Sequence, residues 1–216
     1  LLVQGLATAA VVLLFAVALE RRGLRSLPLA TMVSLLVTWL LCASPSALAA
    51  NVLGLGGKAA AGDMLLPLAG VRRLVVLEAS VAAPPLLVLG VAAALVSMLF
   101  GDPWLLPGIL LAGGGLLAAA AGVGALVSVM WPRPARLRDD GDPVWASGIS
   151  RLALPVAHAL TISPLIVTLF DDAHSLSLRG ASVTLLVGLV LCATGIFLAG
   201  KRLERKALQV SEALLE

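Results

Sequence analysis

The chain has 216 residues, 60% of them hydrophobic and only 12% charged, with a formal net charge of +3 and a mean hydropathy of +1.07. Soluble domains carry about 25% charged residues, so a water-soluble fold of this length has no way to cover so much apolar surface. Runs of about 20 apolar residues exclude a β-barrel, whose strands read as alternating segments of about 10 residues.

The expected class is all-α: a polytopic membrane protein, a single transmembrane domain over 1–216 with six spans. LLVQGLATAAVVLLFAVAL (1–19) is the first span, and PLATMVSLLVTWLLCASPSALAA (28–50) is the second. ERRGLRSL between them is too charged to rest in hydrocarbon. The chain opens on Leu1 within an apolar run with no charged stretch before it, the pattern expected of a start inside a span and not of a signal peptide. A third span, 79–100, follows Glu78 and stops at the turn GDPW, which is too short for a domain and predicts a hairpin. The fourth, 105–131, is long enough to tilt or kink. A polar loop covers 132–150. The fifth span (152–170) and the sixth (181–200) enclose DDAHSLSLRG, and the polar tail 201–216 is expected to be helical.

Counting Lys and Arg sets the orientation. With both ends in the cytosol, Lys58, Arg72, Arg73, Arg133, Arg136, Arg138, Arg151, Lys201, Arg202, Arg205 and Lys206 fall inside, which is 11 of the 15 basic residues. Arg21, Arg22, Arg25 and Arg179 fall outside, and the first three run against the rule. The expected location is the cell (inner or plasma) membrane. The basic pI near 9.4 does not indicate nucleic acid, because the arginines flank spans, where anchoring accounts for them.

Small residues in the fourth span, Gly114, Ala118 and Gly122 with Gly115 and Ala119 beside them, form a face that another backbone can approach. Pro84, Pro85, Pro107, Pro155 and Pro164 free backbone carbonyls within spans and permit kinks. Cys42 and Cys192 each sit in an apolar run and read as small buried hydrophobes.

Catalytic signatures are missing from the sequence. There is no G-x-S-x-G, no H-E-x-x-H and no P-loop; GLGGKA at 54–59 has the wrong spacing and no Ser or Thr after its lysine. His158 is the one ionisable residue deep in a span, with Thr161 and Ser163 near it, which makes it a candidate pathway residue or a hydrogen-bonded structural imidazole. His174 beside Asp171 and Asp172 reads as a solvated acidic loop, and no metal is expected there.

The most informative stretch is NVLGLGGKAAAGDMLLPLAGVRRLVVLE (51–78). It is too polar to span and too apolar to leave the bilayer surface, so it is expected to form one or two helices along the inner face. Here the sequence resembles the ABC type-2 transporter permeases. These carry N-x-F-G-x-D-G at the inner end of a span, then Leu-Pro, an Arg-rich short helix ending in Gly-Lys, and a long apolar helix. This chain has Asn51, Gly54 and Gly57 in register, then Leu66 and Pro67, then Arg72 and Arg73. It departs at Leu53 for the Phe, Gly56 for the Asp, and Leu77-Glu78 for the Gly-Lys. GVGALVSVMWPRPARLRDDGDP extends the likeness through the fourth span, so that 28–150 is covered by motifs and the rest by span pattern alone.

The resemblance implies a permease with a cytosolic coupling helix in 51–78 that docks on an ATP-binding cassette ATPase subunit. It also implies pairing with a second permease domain, as a homodimer, a heterodimer or the other half of a longer chain. By the same resemblance, Asn51, Gly54, Gly57, Leu66, Pro67, Arg72 and Arg73 are expected to be its ATPase-coupling residues. Cofactors are expected to be none in this chain, with ATP and Mg on the partner ATPase. The expected function is ATP-driven export of a hydrophobic or amphipathic molecule by alternating access, and the chain itself is not expected to be an enzyme. Two alternatives come from other classes. One is a lipid-modifying membrane enzyme using His158 or Asp139, Asp140 and Asp142; the other is a non-catalytic assembly subunit.

Overall fold

The computed structural model describes residues 31, 34–42, 52–53, 70–131, 150–171 and 178–215. Every regular element among them is helical. Residues 34–42 are helical, and four longer helices follow: α1 (Gly70–Phe100), α2 (Leu105–Met130), α3 (Ser150–Asp171) and α4 (Leu178–Leu215). Among the described residues, three helices are long and apolar enough to cross a membrane: α1, α2 and the Leu178–Ala207 part of α4. The apolar part of α3, Ala153–Ile166, is shorter. The chain is thus an all-helical membrane protein in its described part. The first span, the segment 54–69 and the loop 132–149 lie outside the described residues, and so does most of the second span.

α1 and α2 form the hairpin expected from GDPW. Gly101 adopts the left-handed conformation, φ 65°, that a side chain would disfavour. Its N–H donates to the Met98 carbonyl at 3.3 Å while the Asp102 N–H reaches back to Ser97 at 3.2 Å, the paired bonds of a Schellman helix end. Asp102 then starts the next helix by accepting the Trp104 N–H on Oδ1 at 2.9 Å. The sequence boundaries of α2 and α3 hold to within two residues. α1 differs: it runs unbroken from Gly70, nine residues ahead of the expected start at Ala79, so Arg72, Arg73 and Glu78 belong to the same helix as the span. Its Val71-to-Leu77 run gave the sequence no reason to stop the helix, and the charges alone suggested a boundary. The tail is helical as expected, continuing α4 to Leu215 with a kink at Lys206 (φ −126°, ψ 21°).

α2 is the central helix, packed against α1, α3 and α4. Its contact with α4 runs backbone to backbone. A Cβ on Gly188 would collide with the Gly115 carbonyl, and one on Gly195 with that of Gly122. Both glycine pairs are seven residues apart, and both numbers rise together, so α2 and α4 are parallel, with α3 returning between them. A seven-residue repeat keeps one seam facing its partner. Inside a bilayer the lipid tails match apolar side chains, so this close fit of backbones, and not removal from water, holds the pair. Of the small residues read from the sequence, Gly115 and Gly122 line this seam, while a Cβ on Gly114 would meet only a Leu185 methyl, at an ordinary 3.5 Å.

Candidate functional site

Gly70, where α1 begins, lies directly on Gly200 of α4, and a Cβ at either position would strike the other strand of backbone. The Glu204 carboxylate accepts the Gly70 N–H on Oε1 at 3.2 Å and pairs with Lys201 Nζ through Oε2 at 3.2 Å. A carboxylate from a neighbouring helix therefore supplies the anionic cap that the first turn of α1 lacks in its own sequence. The same end of the bundle holds a buried cluster of Val52, Leu53, Leu74, Val129, Ala199, Leu203 and Val210. Leu53 is fully enclosed there, and its N–H donates to Ser128 Oγ of α2 at 3.0 Å.

These contacts place the described parts of the 51–78 stretch, residues 52–53 and 70–78, at one end of the bundle. Val52, Leu53 and Leu74 belong to one buried cluster, and Gly70 sits beside it against Gly200 and Glu204. Arg72 is exposed on the surface of that end, whereas Arg73 turns inward and is buried. Lys201, Arg202, Arg205 and Lys206 are exposed at the same end. Arg179, at the start of α4, occupies the opposite one. Asn51, Gly54, Gly57, Leu66 and Pro67 lie outside the described residues, as do Asp139, Asp140, Asp142 and His174.

Glu78, at the expected edge of the third span and at a departure from the resembled family, is buried in the bundle. It is 2% exposed, and among the described residues neither carboxylate oxygen has a hydrogen-bond partner. It continues the inward stripe of Gly70 and Leu74, and the antiparallel run of α1 along α4 brings it within electrostatic reach of Cys192. The available signals were its four-residue spacing from Leu74 and its place where the resembled family carries Gly-Lys.

His158 lies elsewhere, in the middle of the bundle. It is 4% exposed, and a ring N–H donates to the backbone carbonyl of Leu116 on α2. Its ring meets Trp39 edge to face, with centroids 5.6 Å apart and planes at 72°. The Thr161 hydroxyl, one turn away, donates to the Ala157 carbonyl at 2.7 Å and not to the imidazole. Close by, Cys42 Sγ donates to the Gly113 carbonyl at 3.5 Å. The imidazole thus joins helix 34–42, α2 and α3. It is not brought together with Arg72, Arg73 or Glu78. Among the described residues no three His, Cys, Asp or Glu side chains converge as a metal site would require. No protein-family model, curated protein or solved structure matches this chain.

Proposed function

We propose that this chain is the membrane domain of an ATP-driven exporter of the ABC type-2 kind, working as one of a pair with ATPase subunits on the side where Arg72 lies. The observation that supports this reading most is the double attachment of the segment 51–78. Leu53 is bonded to Ser128 on α2, and Gly70 is seated on Gly200 of α4. A stretch of chain held at Leu53 and at Gly70 by α2 and α4 passes a push from below straight into these helices. A free loop would absorb the same push by bending. The order of Asn51, Gly54, Gly57, Leu66, Pro67, Arg72 and Arg73 adds the resemblance described above.

In this mechanism the ATPase engages the 51–78 segment, with the exposed Arg72 guanidinium pairing with a carboxylate of the partner. ATP-driven closure of two such ATPases displaces the segment. The displacement reaches α1 through its continuous helix and α2 and α4 through the buried cluster, rocking the paired domains between inward-open and outward-open states. The exporter's cargo is hydrophobic or amphipathic, in keeping with spans that hold almost no charge. Purification from the native membrane in mild detergent tests this, with ATPase activity compared between the native chain and Arg72→Glu. A stoichiometric P-loop ATPase, lost or inactivated in the variant, is the expected result. A monodisperse preparation with no ATPase refutes the reading. Arg72 is the residue to change because it is exposed, so reversing its charge leaves the bundle intact.

A further inference from the structure

We infer that the exposed cations gathered where α1 begins and the apolar part of α4 ends form a binding rim for anionic phospholipid headgroups. Five of them, Arg72, Lys201, Arg202, Arg205 and Lys206, are exposed at this end, against two exposed carboxylates among the described residues, Glu204 and, past the kink, Glu212. Glu204 is already engaged by the Gly70 N–H and by Lys201. Glu204 therefore fastens the two halves of the rim together and leaves most of the positive charge uncompensated.

Three features point to a lipid as the occupant and not to an acidic protein. The four cations of α4 lie in two overlapping four-residue pairs, Lys201 with Arg205 and Arg202 with Lys206, within the last turns of the apolar stretch Leu178–Ala207. At Lys206 the helix kinks, and beyond the kink Val210 is buried in the same cluster as Leu53 and Leu74. This turn keeps the basic stretch at the membrane boundary instead of letting it project away from it. Lastly, one turn deeper from the cations the exposed surface is aliphatic and aromatic: Val75 and Val76 beside Arg72, Phe197 and Leu198 beside Lys201 and Arg202. A surface that offers hydrocarbon on one level and guanidinium groups on the next matches a ligand with acyl chains below and a phosphate above. Clusters of four to eight Lys or Arg immediately beyond a membrane helix have this affinity as a class. The rim stands independently of the ATPase reading, because its four α4 cations lie outside the coupling segment.

The test is a titration of the intact protein in neutral detergent with phosphatidylglycerol, read by native mass spectrometry, against phosphatidylcholine and against inorganic phosphate. Phosphatidylglycerol is expected to bind in preference to phosphatidylcholine, weakening as salt is added, and inorganic phosphate at equal concentration leaves it in place. Lys201→Gln/Arg202→Gln/Arg205→Gln/Lys206→Gln is expected to lose that preference by about tenfold or more. Arg202→Lys/Arg205→Lys, which keeps the charge, retains most of it. Should the fourfold variant fail to fold, Arg205→Gln/Lys206→Gln shows the same loss in smaller measure. Unchanged phosphatidylglycerol binding in the neutralised protein overturns the inference. So does displacement by inorganic phosphate, which marks a free-phosphate site.

Discussion

α1 and α2 are equally apolar to the eye, yet they occupy opposite positions in the molecule. In α2, 67% of the most apolar 18-residue window is buried inside the bundle, against 17% in α1. α2 fills its sides with Gly and Ala so that backbones touch; α1 shows Leu87, Val91, Leu95, Met98 and Leu99 outward and exposed. The lesson is that in a membrane apolarity places a helix in hydrocarbon but does not say whether it faces lipid or protein. Residue size does, because packing and not exclusion from water drives helices together. The polar groups follow the same division: α1 carries Arg72, Arg73 and Glu78 at one end, whereas the seam of α2 and α4 contains none of the charged side chains.

The sharpest way to break the comparison is to enlarge a seam glycine. Gly115→Leu is expected to cost on the order of 3 kcal/mol or more, since the new Cβ would start 2.5 Å from the Thr184 carbonyl oxygen and backbone cannot give way. Gly90→Leu on α1, where nothing lies within 4 Å, is expected to leave stability nearly unchanged. Thermal unfolding of both variants in the same detergent makes the comparison. Truncation extends the test to side chains on one helix. Leu89 is fully buried with its methyl groups on Gly113, and Leu89→Ala is expected to cost about 2 kcal/mol. Leu87→Ala, two residues away at 74% exposure, costs less than about 0.5 kcal/mol.

Glu78 sharpens the comparison in the opposite direction. A buried carboxylate without a donor among the described residues opposes folding, so Glu78→Leu is expected to raise stability by about 1–3 kcal/mol. An unchanged or lowered unfolding temperature means that Glu78 has a partner in the folded chain. Glu204→Ala removes the cap on Gly70 and the ion pair with Lys201, and a loss of about 1 kcal/mol is expected. Hydrogen exchange confined to the first turn of α1 separates this local loosening from global destabilisation.

Much of this was legible in the residues. GDPW specified the hairpin because Gly at the helix end and Pro just beyond it admit few other chain paths, and the ends of α2 and α3 followed from where apolar runs meet polar loops. The seam was legible only in part. Small residues stood out at four-residue spacing, which mixes two faces of α2. The true repeat of seven appears once Gly188 and Gly195 on α4 are set beside Gly115 and Gly122, and that pairing is a tertiary fact. The start of α1 was misplaced because charges were read as a boundary, although Arg72 reaches water from a helical position and Glu78 is buried despite its charge. His158 was legible as an intramembrane imidazole, but its partners, the Leu116 carbonyl and the Trp39 ring, come from distant parts of the chain that no local pattern joins.

The central claim is that the surface at Arg72 receives an ATPase. A photo-crosslinking amino acid placed at position 72, with position 87 as the membrane-facing control, tests it in the intact membrane. The account predicts a covalent adduct with a P-loop ATPase from position 72, stronger or weaker as nucleotide is added, and lipid adducts alone from position 87. Lipid adducts alone from both positions would contradict it.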